Sequence, residues 1–433
     1  MLCCQQFFCS VYYTTLHFRR YFGRITNTWF TVFFQMADIP LDAPAECPGT
    51  QSDSAGKTSA CAGCPNQTLC SSGQAKLPLG EREPEVIAQI RRRLNQVRYC
   101  IIILSGKGGV GKSSLSVCLA RGLTRRMRKQ SALRPTNRGM STIEYDMCNV
   151  GLLDLDLCGP SIPCMFGCMD EKIHQSQSGW SPVFASNNLA LMSIGFLLPS
   201  PDHAVIWRGP RKNTLIRQLL TDVCWTDDNE TMDFLLIDTP PGTSDEHLSV
   251  VQYLQAAGCL NGAIIVTTPQ EVALSDVRKE ISFCEKLSVP ILGIVENMSE
   301  FVCPACGHAG PVFPPTTGGA ISLCRSSSRA SSELTLLGRL PLDPRLTRAL
   351  DEGVCPFELA EENEANQALD VGLSTTSNTL RTSDPIMVAY EDLIDRLWER
   401  LDDAGQRNGP VMTDADTAEQ GDVRAEFISQ VST

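Results

Sequence analysis

The stretch CIIILSGKGGVGKSSLSVCLARGL, residues 100–123, constrains the fold more tightly than any other part of the chain. An apolar run of strand length leads into a glycine-rich loop and then into a helical pattern, which is a βα unit. Inside it, Gly106 to Ser113 read GKGGVGKS and satisfy G-x-x-x-x-G-K-[ST]. The chemistry explains the spacing: glycines let successive backbone N–H groups close around phosphate oxygens, Lys112 reaches the β- and γ-phosphates, and Ser113 ligates Mg²⁺. The predicted ATP-binding set is Gly106, Lys107, Gly108, Gly109, Val110, Gly111, Lys112, Ser113 and Ser114, with Mg²⁺ beside it. A chance match rarely arrives between a strand and a helix.

Further short apolar runs, VGLLDLD, LALMSIGF, DFLLID, GAIIVTT and PILGIVEN, alternate with helical stretches over residues 150–297. That alternation predicts an α/β fold, a doubly wound and mostly parallel sheet with helices on both faces. Upstream, EVIAQIRRRLNQVRY places Val86, Ile90, Leu94 and Val97 near helical spacing. FLLIDTPPGTSD puts Asp238 at the end of an apolar strand, where a carboxylate would hold the Mg²⁺ shell. A helix-capping aspartate is the blander reading and fits less well, because strand, Asp238 and Gly242 arrive together. LLDLDLCGPS supplies Asp154 and Asp156 at another strand end. One of the two is expected to orient the attacking water, and Asp156 is the candidate.

Composition removes several classes. At 433 residues and 42% hydrophobic, the chain is too long and too apolar to be disordered. A net charge of -12 offers no general attraction to nucleic acid or anionic lipid, so neither is an expected partner. No run of about 18 apolar residues occurs, which argues against a transmembrane helix. Residues 1–36 are aromatic and arginine-bearing with no acidic residue before Asp38, loosely like an organellar leader. The plainer alternative is a start at Met36, where an ordinary acidic cytosolic opening begins. Residues 37–84 form a Gly, Pro, Ser and Cys-rich segment without apolar period, 85–402 the nucleotide-binding domain, and 403–433 an acidic tail.

Twenty cysteines are many for such a chain. Those scattered through apolar stretches, such as Cys118 and Cys284, read as core residues, whereas clusters in a reduced setting read as metal or redox sites. Cys47, Cys61, Cys64 and Cys70 form C-x13-C-x2-C-x5-C ahead of the first domain. Four thiolates suit either a structural zinc or a [4Fe–4S] centre, and spacing alone does not choose. Cys303 and Cys306, in FVCPACGHAG, offer two ligands, which fits half of a zinc ribbon with His308 as a third.

The extra loop lysine, Lys107 in KGGVGKS, resembles the deviant phosphate-loop motif of the MinD/Mrp/ArsA group of dimeric P-loop ATPases. LCGPSIP, VIWRGPRKN, IDTPPGTSDEHLSV, TTPQEVALSDVRKEI, VENMSEFVCPACG and FPPTTGG resemble the Mrp-type iron–sulfur carrier ATPases over roughly residues 85–355. The resemblance implies that Lys107 reaches the partner subunit's nucleotide, completing a catalytic set of Lys107, Lys112, Asp156 and Asp238. It implies that Asn297 contacts adenine. It tips the four N-terminal cysteines towards [4Fe–4S], as in the family's larger cytosolic scaffolds, and assigns Cys303 and Cys306 of two subunits to one labile bridging [4Fe–4S] cluster. The implied activity is ATP-dependent assembly of [4Fe–4S] clusters and their transfer to cytosolic and nuclear apoproteins. The implied partners are a second copy, or a smaller paralogous P-loop ATPase in a heterotetramer, with apo iron–sulfur proteins and downstream targeting factors. The expected location is the cytoplasm.

A MinD- or ParA-type positioning ATPase with structural zinc sites is the rival. The former wants a basic amphipathic C-terminal helix, but AYEDLIDRLWERLDDAG carries Glu391, Asp392, Asp395, Asp402 and Asp403 on its polar face. The helix is therefore expected to pack Tyr390, Leu393, Ile394, Leu397 and Leu401 on the sheet. The latter wants a basic surface, which the overall charge opposes. Two stretches depart from the family pattern, SALRPTNRGMSTIEYDMCN and NEANQALDVGLSTTSNTLRTSD, both with loop composition.

Overall fold

The computed structural model of the chain describes residues 52–64, 67–73, 77–129, 145–157, 159–198, 209–226, 230–243, 245–303, 308–314, 316–327, 334–361 and 384–407. They fall into two compact units, one ending at Arg82 and one beginning at Glu83.

In the first unit the cysteine-rich segment is more ordered locally than its composition suggests. A single 3₁₀ turn, Ser59–Cys61, precedes helices α1 (Gln67–Ser71) and α2 (Leu79–Arg82). Gly56 lies at φ +74°, and a Cβ there would sit 2.4 Å from the Ser71 nitrogen. Only glycine lets this turn approach α1 so closely.

The second unit opens with α3 (Pro84–Leu94), whose proline at the first turn fits a helix start. Ile87, Ile90 and Leu94 are its buried residues, whereas Val97 already begins β1 (Val97–Leu104). The helical spacing expected for Val86 and Val97 is thus replaced by one face built on Ile87. From Ile101 to Leu104 every residue of β1 is wholly buried. Each such side chain is worth about 1.5–3 kcal/mol of apolar burial, which explains a strand without alternation.

After β1 come α4 (Lys112–Thr124), β2 (Met127–Lys129), β3 (Tyr145–Met147), β4 (Val150–Asp154) and α5 (Ile162–Met165). Then follow β5 (His174–Ser176), β6 (Gly179–Ser181), β7 (Val183–Ser186), β8 (Leu189–Ser193), α6 (Gly209–Thr221), β9 (Met232–Asp238) and α7 (Asp245–Ala257). The chain continues through β10 (Leu260–Thr267), α8 (Glu271–Lys286), β11 (Ile291–Glu296), β12 (Phe301–Val302), β13 (Ala309–Gly310) and α9 (Gly319–Ser327). It ends in β14 (Leu336–Arg339), α10 (Pro344–Asp351) and α11 (Pro385–Arg407).

Eight strands form one sheet in the order β14-β11-β10-β1-β9-β4-β8-β7. Every pairing is parallel except that of β7 with β8. The fold is the expected mostly parallel α/β sheet, with one antiparallel edge strand. β1 sits between β10 and β9, so the glycine loop leaves the carboxyl edge of the sheet at its centre, where such folds bind ligands.

Two details position the domain. The flanks of the first insertion pair as an antiparallel hairpin, β2 with β3, although Tyr145–Met147 read as loop; its tip lies outside the described residues, as does the second insertion up to Ser383. α11 buries Tyr390, Leu393, Ile394, Leu397 and Leu401, as its pattern predicts, and runs past residue 402. A Cβ on Gly122 would meet Ile394 Cδ1 at 2.3 Å, so the α4–α11 contact depends on that glycine.

Candidate active site

The glycine loop is shaped by its backbone. Gly109 and Gly111 hold φ +79° and +82°, a conformation costly for any residue with a Cβ. Gly106 backs directly onto α8, where an added Cβ would lie 2.6 Å from Asp276 Cβ. Gly111 is the N-cap of α4, and no side chain caps it. First-turn N–H groups left this way are the donors that bind phosphate at a helix N-terminus. Gly108, Val110 and Ser114 complete the loop, Val110 being buried and Ser114 half-buried.

Asp238 is where the sheet delivers charge to that loop. It ends β9, is fully buried, and accepts three bonds: from Lys112 Nζ at 2.7 Å, Ser113 Oγ at 2.7 Å and Ser116 Oγ at 2.6 Å. Lys112 is only 6% exposed. A buried ion pair is weak evidence for stability, since desolvation offsets its attraction; gathering a cation, a hydroxyl and a carboxylate at a phosphate-binding loop is instead a functional arrangement. Lys112 can turn to a nucleotide's phosphates, leaving Ser113 and Asp238 for Mg²⁺ and its water shell.

Next to Asp238 in the register lies Asp154, at the end of β4. It is 1% exposed, and burial first, then the Asp238 carboxylate, pushes its carboxyl well above the usual range. Asp156 is half-buried; its N–H donates to Asp154 Oδ1 at 3.0 Å, and its Oδ1 accepts from the Gly159 N–H at 3.2 Å. The Leu155 N–H donates to the Asp238 carbonyl at 2.8 Å. The residues bearing Asp156 are thus sewn to the strand that bears Asp238.

Lys107 forms an ion pair with Asp276 of α8 at 2.9 Å and remains 42% exposed. Burial works to raise the Asp276 carboxyl, but Lys279 and Lys107 outweigh it and hold it below the usual carboxylate range. In the single chain this lysine is engaged by its own Asp276, so reaching a partner's nucleotide requires that pair to break. Asn297 follows β11 and touches the loop from the other side, its Nδ2 donating to the Val110 carbonyl at 2.9 Å.

Sequence reading missed Ser116, Ser193, Thr239, His247 and Asp276. Thr239 Oγ1 donates to the Ile103 carbonyl at 2.7 Å and lies 3.1 Å from His247 Nε2. Burial foremost drives the His247 pKa down to about 4. Ser116 carried a signal, one helical turn after Lys112 on the same face, and Thr239 directly follows Asp238; Ser193 and Asp276 meet the site through long-range packing.

The cysteine sites are built differently. Cys61 and Cys64 lie in consecutive turns that lead into α1, which carries Cys70; the Cys64 N–H donates to the Cys61 carbonyl at 3.1 Å and the Gln67 N–H to the Cys64 carbonyl at 3.0 Å. The Thr58 hydroxyl, 3.2 Å from Cys61 Sγ, holds that thiol below its usual value. Cys47 lies outside the described residues. Cys303 is half-buried at the mouth of the β12–β13 hairpin, its N–H donating to the His308 carbonyl at 3.0 Å; Cys306 lies outside the described residues. Among the described residues no three Cys, His, Asp or Glu side chains are gathered as a metal site.

The ParA model, described as NUBPL iron-transfer P-loop NTPase, matches residues 139–374, more than half of the chain. The protein belongs to this family. It is therefore an ATP-hydrolysing P-loop NTPase of the Mrp/NUBPL type. The matched span contains Asp154, Asp156, Asp238, Asn297 and Cys303, whereas the glycine loop precedes it and stands on its own motif. Among solved structures, a nucleotide-binding protein from Archaeoglobus fulgidus in complex with ADP is 33% identical, over 62% of this chain and 92% of that one, with a TM-score of 0.48. The septum site-determining protein MinD from Pyrococcus horikoshii, complexed with Mg-ADP, is 20% identical over 70% and 96%, with a TM-score of 0.39. A ParA family ATPase from Chlorobium tepidum is 14% identical over 70% and 98%, with a TM-score of 0.37. No helix of the described residues is long and apolar enough to cross a membrane.

Proposed function

We propose that this P-loop ATPase assembles [4Fe–4S] clusters and passes them to apoproteins, working in the cytoplasm as a homodimer or as a heterotetramer with a smaller paralogous ATPase. The observation that carries the reading is the join between β11 and β12. Asn297, which bonds the phosphate-binding loop, is only six residues from Cys303. The intervening Ser299 is buried and bonded through both its N–H and its hydroxyl to the Leu340 carbonyl, each at 3.0 Å. The Leu342 N–H donates to the Glu300 carbonyl at 2.7 Å. A thiol intended for transferable iron thus stands on a short, anchored extension of the nucleotide site. The family's iron-transfer description supports the same chemistry.

The donor set fits the two proposed centres in kind. Cys47, Cys61, Cys64 and Cys70 would hold a resident cluster within one chain, and the lowered thiol pKa of Cys61 favours the thiolate that ligation needs. Cys303 and Cys306 supply two thiolates, so the transferable cluster, here the cargo, takes its other two from a second subunit. The test is anaerobic reconstitution of the full chain with iron and sulfide, read by iron content, Mössbauer spectra and transfer to a [4Fe–4S]-requiring apoenzyme. Brown protein that activates the apoenzyme supports the proposal. Colourless protein holding only zinc supports the positioning-ATPase alternative.

A further inference from the structure

The carboxyl edge of the sheet holds a bonded chain of buried polar groups, of which Ser193 alone is announced by no sequence motif. Three neighbouring strands end in register: Asp238 on β9 pairs with Asp154 on β4, and Asp154 pairs with Ser193 on β8. Asp154 is 1% exposed, and Ser193 and Asp238 are wholly buried. Ser193 Oγ donates to Asp154 Oδ2 at 2.9 Å and accepts the Gly195 N–H at 3.0 Å, which fixes the serine rotamer from both sides. The other oxygen, Asp154 Oδ1, accepts the Asp156 N–H at 3.0 Å. Beyond it, Asp156 Oδ1 accepts the Gly159 N–H.

We propose that Ser193 and Asp154 are positioning residues for ATP hydrolysis, a clamp that sets where the Asp156 carboxylate stands relative to Asp238. The inference rests on the reading of Asp156 as the residue that orients the attacking water. Asp154 is suited to the role by what it lacks as well as by what it holds. It is too deeply buried to meet solvent, and its two oxygens are committed to Ser193 and the Asp156 backbone. Its effect passes through Asp156. Ser193 would have no reason to carry a hydroxyl in a strand of otherwise apolar buried residues, Leu189 to Met192, unless that hydroxyl had a partner to hold. Backbone misplacement of even an ångström at a reacting centre can cost as much as about a hundredfold in rate.

The experiment is a double-mutant cycle on the full-length chain, with steady-state ATPase rates and nucleotide dissociation constants for each variant. Ser193→Ala and Asp154→Asn are each expected to lower kcat about tenfold or more with nucleotide affinity unchanged within about twofold. Ser193→Thr, which keeps the hydroxyl, should restore most of the rate. Combining Ser193→Ala with Asp156→Ala should cost no more than Asp156→Ala alone, because a clamp without its client has nothing to place. Thermal melts accompany each variant, and Ser193→Thr keeps the cycle interpretable if Ser193→Ala melts early. Additive losses, or a fall in nucleotide affinity parallel to that in kcat, would overturn the clamp while leaving Asp156 in its role. Full hydrolysis by Asp156→Ala alone would overturn both the reading of Asp156 and the clamp built on it.

Discussion

The phosphate-binding loop and the cysteine segments differ in how they are held. Around Asp238 one chain supplies nearly every partner: Lys112, Ser113 and Ser116 converge on a single carboxylate within 2.7 Å, and parallel register brings Asp154 and Ser193 alongside. Around Cys61, Cys64, Cys70 and Cys303, the backbone is held by local bonds in turns, in α1 and across the β12–β13 hairpin, and no described group of three ligands is closed. A site held by a sheet is preorganised before ligand arrives; a site held by turns is organised by what binds it. A nucleotide switch needs the first property; a transferable cluster of the kind proposed at Cys303 needs the second.

The sharpest break in this contrast is Lys112→Ala. It removes the ammonium for phosphate and strips the cation from a buried aspartate, a change that costs about 3–5 kcal/mol when a buried pair is broken. Nucleotide binding should disappear from calorimetric titrations, while iron bound by the N-terminal segment stays. Retained nucleotide affinity would remove Lys112 from the site.

Next in size is Cys303→Ala or Cys306→Ala. Either should abolish labile iron and cluster donation and leave nucleotide affinity untouched, since Lys112, Ser113 and Asp238 keep their bonds to one another. A variant that still donates a cluster at the full rate would show that the hairpin is not the transfer site. For the resident centre, Cys61→Ala or Cys64→Ala should strip its iron without altering oligomer mass in native mass spectrometry.

A smaller effect is expected from Lys107→Ala. Because Lys107 is held by Asp276 and lies at the exposed rim, its loss should lower hydrolysis about tenfold while changing nucleotide affinity little. Equal losses in both would place its action within its own subunit.

The smallest is a pH effect on the apo protein. His247 is kept neutral with a pKa near 4, below the ordinary 6.5, so between those values the unfolded chain binds a proton that the native state does not. The stability this confers is complete above pH 6.5 and is lost as pH falls through about 4, on the order of 3 kcal/mol in all. Glu280 works in the opposite sense: burial raises its carboxyl to about 7, so its contribution is lost as pH rises through neutrality. Comparing urea midpoints of wild type and His247→Gln cancels the Glu280 contribution. The gap should widen from pH 4 to 6.5 and stay level above; a gap independent of pH would exclude His247 as the titrating group.

How much of this was legible before folding varies with distance along the chain. The expected strands appear as β1, β4, β8, β9, β10 and β11, because buried parallel strands announce themselves as unbroken apolar runs. Tyr145–Met147 did not, because a three-residue strand has no period to read and exists only by pairing with Met127–Lys129. The helix expected over residues 86–97 shifted its buried face to Ile87, because β1 took Val97 for the sheet.

Chemistry that lies within a few residues was written into the chain: the glycine loop with Lys112 and Ser113, the strand-end carboxylates Asp154, Asp156 and Asp238, and the thiols of the two cysteine segments. Backbone reach makes such sets meet wherever the chain goes. Which groups serve them from afar was settled by folding. Asp276 stands against Gly106 and Lys107 across some 170 residues, and Ser193 and Asp238 flank Asp154 only because β8, β4 and β9 lie side by side in register. No local spacing encodes those meetings; they follow from burying parallel strands in one order, and the polar groups at their ends must find one another once water is excluded.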